Sequence, residues 1–233
     1  TGQLIAGGSN ASTTFSGDLT GTGSFTKAGT GTLIVASDLG FDGNLSLAAG
    51  ALQFNVAQAF LGTTTISGGT LRLTDADLSL ASLTITGNST ANKGGGLYAS
   101  FALVNGNRIM DNTAAEGGGI FGEANGAFVG NSIMKNTSLT GMGGGAYLNY
   151  WGLSKHNKVF SNNHVEQNGA SDDKGAGGVC LDGEMDFSRN AIFNNAGLQL
   201  NNLTASSSGS IQAKECFWGS TDQIKIEALI HDG

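Results

Sequence analysis

A pair of glycines followed at a nearly constant distance by two asparagines occurs four times in the middle of the chain. In each unit the second glycine lies about 11 or 12 residues before the first asparagine. The units are Gly95-Gly96 with Asn107 and Asn112, Gly118-Gly119 with Asn131 and Asn136, Gly144-Gly145 with Asn157 and Asn162, and Gly177-Gly178 with Asn190 and Asn195. Successive units lie about 23 to 33 residues apart, so inserts of variable length interrupt a constant core. This pattern predicts a solenoid, whose function is carried by the outside of a rod.

The first 90 residues are rich in Thr, Ser and Leu, and their apolar residues alternate with polar ones. A period of two predicts strands with one buried face, and Gly or Asn stands at nearly every join. These strands are predicted at Gly31–Ala36, Gly43–Leu47, Gly50–Phe54, Thr63–Ser67, Gly69–Leu73 and Leu78–Ile85. Their close spacing leaves no room for βαβ units, and it favours a parallel β-helix over a β-sandwich. A charged fraction of 12%, about half the globular norm, excludes a surface-charged helical bundle.

We expect one continuous domain over residues 1–233. It would comprise strand-rich repeats at 1–90, the Gly-Gly and Asn repeats at 91–210, and a closing segment at 211–233, where Asp222 could cap a short helix or precede a last strand. The net charge is −7, and the eleven basic residues are scattered, which argues against a nucleic-acid partner. No apolar run is long enough to span a membrane. The chain begins at Thr1 without a signal peptide, so we expect a processed segment whose export signal or anchor lies elsewhere.

Three stretches of sequence resemble known families. Gly21–Val35 and Thr63–Leu73 resemble the passenger-associated repeat of autotransporter proteins, which contains G-x-G-x-h-x-K and G-T-L-x-h elements. The Gly-Gly and Asn units are similar to the repeats of polymorphic outer-membrane proteins, and Phe187–Asn190 matches their FxxN motif. Cys216–Asp222, followed by Ile226–Ile230, looks like the ending of many secreted right-handed β-helix proteins.

These resemblances imply an all-β, single-stranded, right-handed parallel β-helix of about nine or ten coils, at roughly 22–26 residues per coil. They also imply a bacterial protein at the cell surface or in the extracellular space. We therefore expect a non-enzymatic module of the adhesin or autotransporter-passenger type, which binds a surface glycan or a protein receptor through loops along one edge. One alternative is an extracellular filament built by head-to-tail stacking. Another is a calcium-dependent polysaccharide lyase or glycoside hydrolase of the same fold.

An acidic cluster near the third and fourth repeats is the densest group of potentially functional side chains in the chain. It consists of Asp172, Asp173, Asp182, Glu184 and Asp186. Calcium takes six to eight oxygen ligands, so Asp172 and Asp173 are possible metal ligands, although a solvated acidic loop is the simpler interpretation. No cofactor other than calcium is suggested. A polygalacturonase-type signature would also need a His-Gly and an Arg-x-Lys sequence, and neither exists here.

The aromatic pair Tyr150 and Trp151 precedes a polar run and could stack on a sugar ring or anchor a protein partner; in the alternative, Tyr147 packs in the core and Trp151 covers a corner. The first asparagines of the four units, Asn107, Asn131, Asn157 and Asn190, are expected to form an internal ladder that links neighbouring repeats. Cys180 and Cys216 are about one long repeat apart, so they could form a disulfide or remain two buried thiols. Function is expected in the inserts 137–142 and 169–175.

Overall fold

The computed structural model describes residues 2–56, 58–60, 64–74, 78–80, 83–150, 158–171, 175–204 and 211–232. Within these ranges the chain is all-β apart from one short helix near its end. The strands are β1 (Gln3–Ala6), β2 (Thr13–Phe15), β3 (Ser24–Lys27), β4 (Thr32–Val35), β5 (Asn44–Leu47), β6 (Ala51–Phe54), β7 (Gln58–Phe60), β8 (Thr64–Ile66), β9 (Thr70–Thr74), β10 (Leu78–Leu80), β11 (Leu83–Thr86), β12 (Leu97–Asn105), β13 (Arg108–Met110), β14 (Thr113–Glu116), β15 (Ile120–Val129), β16 (Ser132–Met134), β17 (Thr137–Met142), β18 (Ala146–Asn149), β19 (Val159–Ser161), β20 (His164–Glu166), β21 (Gly169–Ala170), β22 (Val179–Asp182), β23 (Asp186–Ser188), β24 (Ala191–Phe193), β25 (Leu200–Asn202), β26 (Gln212–Lys214) and β27 (Ile230–Asp232).

Every strand pairing between these elements is parallel, and the strands form three sheets. A nine-stranded sheet has the order β1-β3-β5-β8-β11-β13-β16-β20-β24. The main path of a fifteen-stranded sheet is β2-β4-β6-β9-β12-β15-β18-β22-β25-β27, and the long strands β12 and β15 also pair at their C-terminal ends with β10 and β19. The third sheet is small and has the order β14-β17-β21. Stacked parallel sheets of this kind are compatible with a parallel β-helix.

The hydrophobic core lies between the sheets and is built from alternate residues of most strands. In the nine-stranded sheet, Ile85, Ile109 and Ile133 pair in successive registers and are completely buried. A second row consists of Phe128, Phe160 and Phe187, which follow one another in β15, β19 and β23. The alternation predicted for the N-terminal strands is present in β3 to β6, where every second residue is buried, whereas β1 and β2 contain no buried residue.

Two ladders of buried asparagines run through the repeats, one at each of the paired positions in the sequence motif. The first ladder links Asn107, Asn131, Asn163 and Asn190 through amide–amide hydrogen bonds of 3.0–3.1 Å. The second links Asn88, Asn112, Asn136, Asn168 and Asn195, and it ends at Gln199. From the second rung of each ladder onward, the amide oxygen also accepts the backbone N–H of the preceding rung, as in the 3.0 Å bond from the Asn112 N–H to Asn136 Oδ1. The ladders therefore satisfy most of their own buried polar groups, and Asn107 Oδ1, at the start of the first ladder, is the ladder atom that has no partner among the described residues.

The third unit of the repeat is the one place where the sequence prediction selected the wrong asparagines. Asn157 lies outside the described residues, and the ladder position between Asn131 and Asn190 is occupied by Asn163. Asn162 is a turn residue with φ 54°, in the left-handed region that Asn tolerates better than most residues. The true pair in this unit is Asn163 with Asn168, which has the same five-residue spacing as the predicted pair.

The C-terminal segment contains the helix α1 (Gln223–Glu227), followed by β27. Of the two alternatives for this segment, the helix is the one observed around Asp222, whose carboxylate accepts the Ile224 N–H at 3.1 Å as an N-cap. Ile224 and Ile226 thus belong to the helix rather than to a strand, and β27 then pairs in parallel with β25.

Candidate functional site

The acidic residues that sequence reasoning grouped together do not form a described metal site. Asp172 and Asp173 lie outside the described residues. Asp182 ends β22 and is half-buried, whereas Glu184 and Asp186 are exposed. Within the described ranges, no group of three or more His, Cys, Asp or Glu side chains could hold a metal ion.

Tyr150 does not provide an exposed binding platform, and the prediction of a surface role for it is wrong. Its side chain is 2% exposed, and its hydroxyl donates to the Gly126 carbonyl oxygen at 3.4 Å. Burial raises the pKa of its phenol well above the usual range. Tyr150 directly follows β18 and lies two residues after Leu148, so strand alternation places both side chains in the main core. Trp151 lies outside the described residues.

The two cysteines lie in different parts of the structure and are both free thiols. Cys180 is on β22 beside Asn201 of β25, whereas the sulfur of Cys216 lies 4.0 Å from the Asn190 amide, at the end of the first asparagine ladder. The disulfide considered from the sequence is therefore not formed, because the register places Asn201 and not Cys216 beside Cys180. Burial raises the pKa of both thiols, that of Cys180 to about 12.

This arrangement predicts unequal thiol reactivity in the folded protein. A chromogenic disulfide reagent should modify Cys216 slowly at mildly alkaline pH, because a raised pKa lowers the thiolate fraction. Cys180 should react only after unfolding. In denaturant without reductant, both thiols should react with the reagent. The variant Cys216→Ser should remove the reaction of the native protein and Cys180→Ser should retain it, whereas a denatured chain without titratable thiol would contradict the structure.

The outward face of the fifteen-stranded sheet carries a row of large side chains. In register from β9 to β22 these are Arg72, Tyr98, Phe121, Tyr147 and Cys180. Tyr98 stacks on Phe121 with ring centroids 5.4 Å apart, and Tyr147 meets Phe121 edge-on at 5.3 Å. Phe121, Tyr147 and Cys180 are buried in a second hydrophobic cluster, separate from the main core.

This second cluster is covered by residues from the three-stranded sheet and the Gly-Gly segments. Met142 at the end of β17 and Ala176 pack against it, and the Met142 sulfur lies 4.0 Å from that of Cys180. Lys93 lies over the Phe121 ring, 4.4 Å from its centroid, and pairs with Glu116 at 3.2 Å. The middle repeats therefore have an outer layer on this face, formed where the Gly-Gly motifs allow close approach of the backbone.

A polar row runs beside the aromatic one, two residues further along each strand. It contains Ser100, Glu123, Asn149 and Asp182 in successive registers. The Tyr98 hydroxyl donates to the Glu123 carboxylate, and the Asn149 amide nitrogen lies 3.3 Å from the Tyr147 hydroxyl. Burial, with a smaller contribution from the carboxylates nearby, raises the pKa of each of these two tyrosines to about 12. Both phenols are therefore neutral hydrogen-bonding groups at physiological pH.

A depression of about 530 Å³ lies where this outer layer begins. Its walls come from four successive segments of chain and contain hydroxyl, amide and backbone groups; among the described residues of this lining, Arg72 is the one charged side chain. The lining residues are Thr30, Gly50, Ala51, Gly68, Gly69, Thr70, Arg72, Gly87, Asn88, Ser89, Thr90 and Asn92. Its volume falls within the range of about 300–1,000 Å³ that is usual for small-ligand sites.

Sequence reasoning missed this depression because no single stretch of the chain forms it. One signal was present: Arg72 is charged at an outward position where the aligned residues of the two preceding strands are Gln53 and Ile34. The inserts 137–142 and 169–175 were expected to carry function. The first of these is β17 in the outer layer, and of the second, residues 172–174 lie outside the described ranges.

No helix among the described residues has the length and apolar character needed to cross a bilayer. The chain has no match among protein-family models, among the curated proteins or among the solved structures. The function of the protein must therefore be inferred from the outward face itself.

Proposed function

We propose that residues 1–233 form one right-handed parallel β-helix of about nine or ten coils that acts as a non-enzymatic binding module of an extracellular surface protein. The all-parallel sheets and the two asparagine ladders support a single stacked rod. Its three parts would be the repeats at 1–90, the laddered repeats at 91–210 and the closing segment at 211–233.

The observation that carries the proposed role is the depression beside the outer layer. It is an open, polar concavity on a surface that hydrogen bonds between strands hold rigid, so little conformational entropy would be lost on binding. The autotransporter and outer-membrane-protein resemblances of the sequence agree with such a display role. The partner would be a surface glycan or a protein receptor.

Binding of the native chain to arrays of glycans and of cell-surface proteins tests this function. We expect a restricted set of glycans or proteins to be retained by the folded chain and lost when it is denatured. A chain that binds nothing on either array, or that binds equally well when unfolded, would contradict the proposal. Turnover of a retained glycan, followed as release of reducing or unsaturated sugars, would instead identify an enzyme.

A further inference from the structure

We infer that the depression around Arg72 is a subsite for the carboxylate-bearing sugar of an acidic glycan. This inference rests on the proposed function and names the class of ligand. Three features support it: Arg72 is the one charged side chain among the described residues of the lining, an aromatic ring holds its guanidinium, and the surrounding groups are hydroxyls and amides.

Arg72 is positioned by an aromatic side chain. Its guanidinium carbon lies 5.0 Å from the centroid of the Tyr98 ring. Tyr98 is itself held by stacking on Phe121 and by its hydrogen bond to Glu123. Stacking on a ring orients the planar guanidinium and leaves its edge N–H groups available.

The N–H groups of Arg72 have no acidic partner among the described residues. The three ion pairs in these ranges join Lys93 to Glu116, His164 to Glu166 and Arg189 to Glu215. Arg72 is half-buried at the edge of the depression, where a cation is less well solvated than on an open surface. A bound carboxylate would accept two parallel N–H bonds from such a group.

The remaining lining favours a sugar over a protein side chain as the source of that carboxylate. Thr30, Thr70, Ser89 and Thr90 offer hydroxyl groups that both donate and accept, and Asn92 offers an amide. These groups complement a hydroxyl-rich ligand. Protein interfaces depend on aromatic or large aliphatic anchors that fill pockets, and Ala51 is the one wholly apolar side chain in this lining.

Monosaccharide titrations followed by NMR test the assignment. The probes are galacturonate, glucuronate and N-acetylneuraminate, with galactose, glucose and the methyl ester of galacturonate as neutral controls. At least one acid should bind with about millimolar affinity and shift the Arg72 side-chain N–H and the amides of Gly69 and Thr70. The neutral controls should bind about 10-fold more weakly or not at all, because they cannot form the charged pair. Inorganic sulfate at equal concentration should compete poorly.

Matched variants separate the subsite from the surface as a whole. Arg72→Gln should weaken acid binding about 10- to 100-fold, and Arg72→Lys should restore only part of it, since lysine cannot form the bidentate pair. Arg108→Gln, an exposed arginine on the nine-stranded sheet, should leave binding unchanged, and all variants should keep the native melting temperature.

Three results would overturn the inference: no acid binds, Arg72→Gln binds as the native chain does, or sulfate competes as strongly as the sugar acids. Retention of array ligands by Arg72→Gln would overturn the subsite and leave the proposed binding function intact. If the native chain bound nothing on either array, the proposed binding function itself would be wrong.

Discussion

Replacing Asn136 with alanine is expected to destabilise the chain by about 3–5 kcal/mol. Asn136 is completely buried in the middle of the second ladder. Its amide nitrogen donates to the Ile109 carbonyl oxygen and to Asn168 Oδ1, and its Oδ1 accepts the backbone and side-chain N–H groups of Asn112. Alanine removes all four bonds, so the buried backbone N–H of Asn112 loses its partner, and the buried Asn112 amide nitrogen and Ile109 carbonyl oxygen each lose one. Each such group costs about 1–3 kcal/mol.

Denaturant unfolding followed by circular dichroism measures this loss. Asn105→Ala is the matched control, because Asn105 is an exposed asparagine at the end of β12 and should change the unfolding free energy by less than about 0.5 kcal/mol. If the two variants had the same midpoint, the ladder would contribute nothing to stability and its structural role would be wrong.

Gly144→Ala should be comparably damaging for a different physical reason. A Cβ at this position would lie 2.0 Å from the Gly169 carbonyl oxygen and 2.7 Å from that of Gly177. Both atoms belong to the backbone of the neighbouring segment, so no side chain can move to relieve the collision. The strands must separate, which breaks bonds such as that from the Gly144 N–H to the Ala176 carbonyl oxygen at 2.9 Å. We expect a loss of about 3 kcal/mol or more, at the upper end of overpacking effects.

Gly8→Ala supplies the control for this substitution. A Cβ at Gly8 would meet no atom within 4 Å, and its φ lies outside the left-handed region. Its unfolding midpoint should stay near that of the native chain or rise slightly, because alanine restricts the unfolded state. A soluble Gly144→Ala chain with native stability would show that neighbouring segments are not in the close contact described.

The parts of the fold that depend on local alternation could be predicted from the sequence. Strands such as β5, β6 and β9 were recognised because Leu45, Leu52 and Leu71 alternate with polar residues, and these leucines point into the core as expected. The positions of Asn107, Asn131 and Asn190 followed from their spacing to the glycine pairs. Their hydrogen bonds explain why the distance from glycine pair to asparagine is nearly constant. Each asparagine must lie at the same position in its repeat to reach the amide of the next.

The third repeat was misassigned because it contains two pairs of asparagines with the same spacing, and both fit the motif. Asn157 and Asn162 flank an apolar residue, Val159, just as Asn163 and Asn168 flank Val165. Only the strand register distinguishes them: Val165 pairs with Ile133 and is completely buried, whereas Val159 is half-buried in β19. A motif within one stretch of chain does not specify the distant segment with which that stretch pairs.

The candidate site was harder to predict than the scaffold for the same reason. The depression joins Thr30, Gly50, Thr70 and Thr90, which come together only when four segments stack. The acidic residues were grouped by proximity in sequence, yet Asp182 points to the outward row and Asp186 lies on a different strand path. A high density of acidic residues in the sequence therefore did not show which of their side chains lie together in the structure.

The asparagine ladders also allow the surface segments to change in evolution while the scaffold stays the same. Asn112 and Asn136 are 24 residues apart and Asn136 and Asn168 are 32 residues apart, yet the amide bonds that join them measure 2.9 and 3.0 Å. Closing the longer span costs only about 0.3 kcal/mol more chain entropy. Segments between rungs can therefore gain or lose residues at little cost to stability. Such a scaffold could accept grafted peptides, and it would let surface variation accumulate under selection without disturbing the ladders.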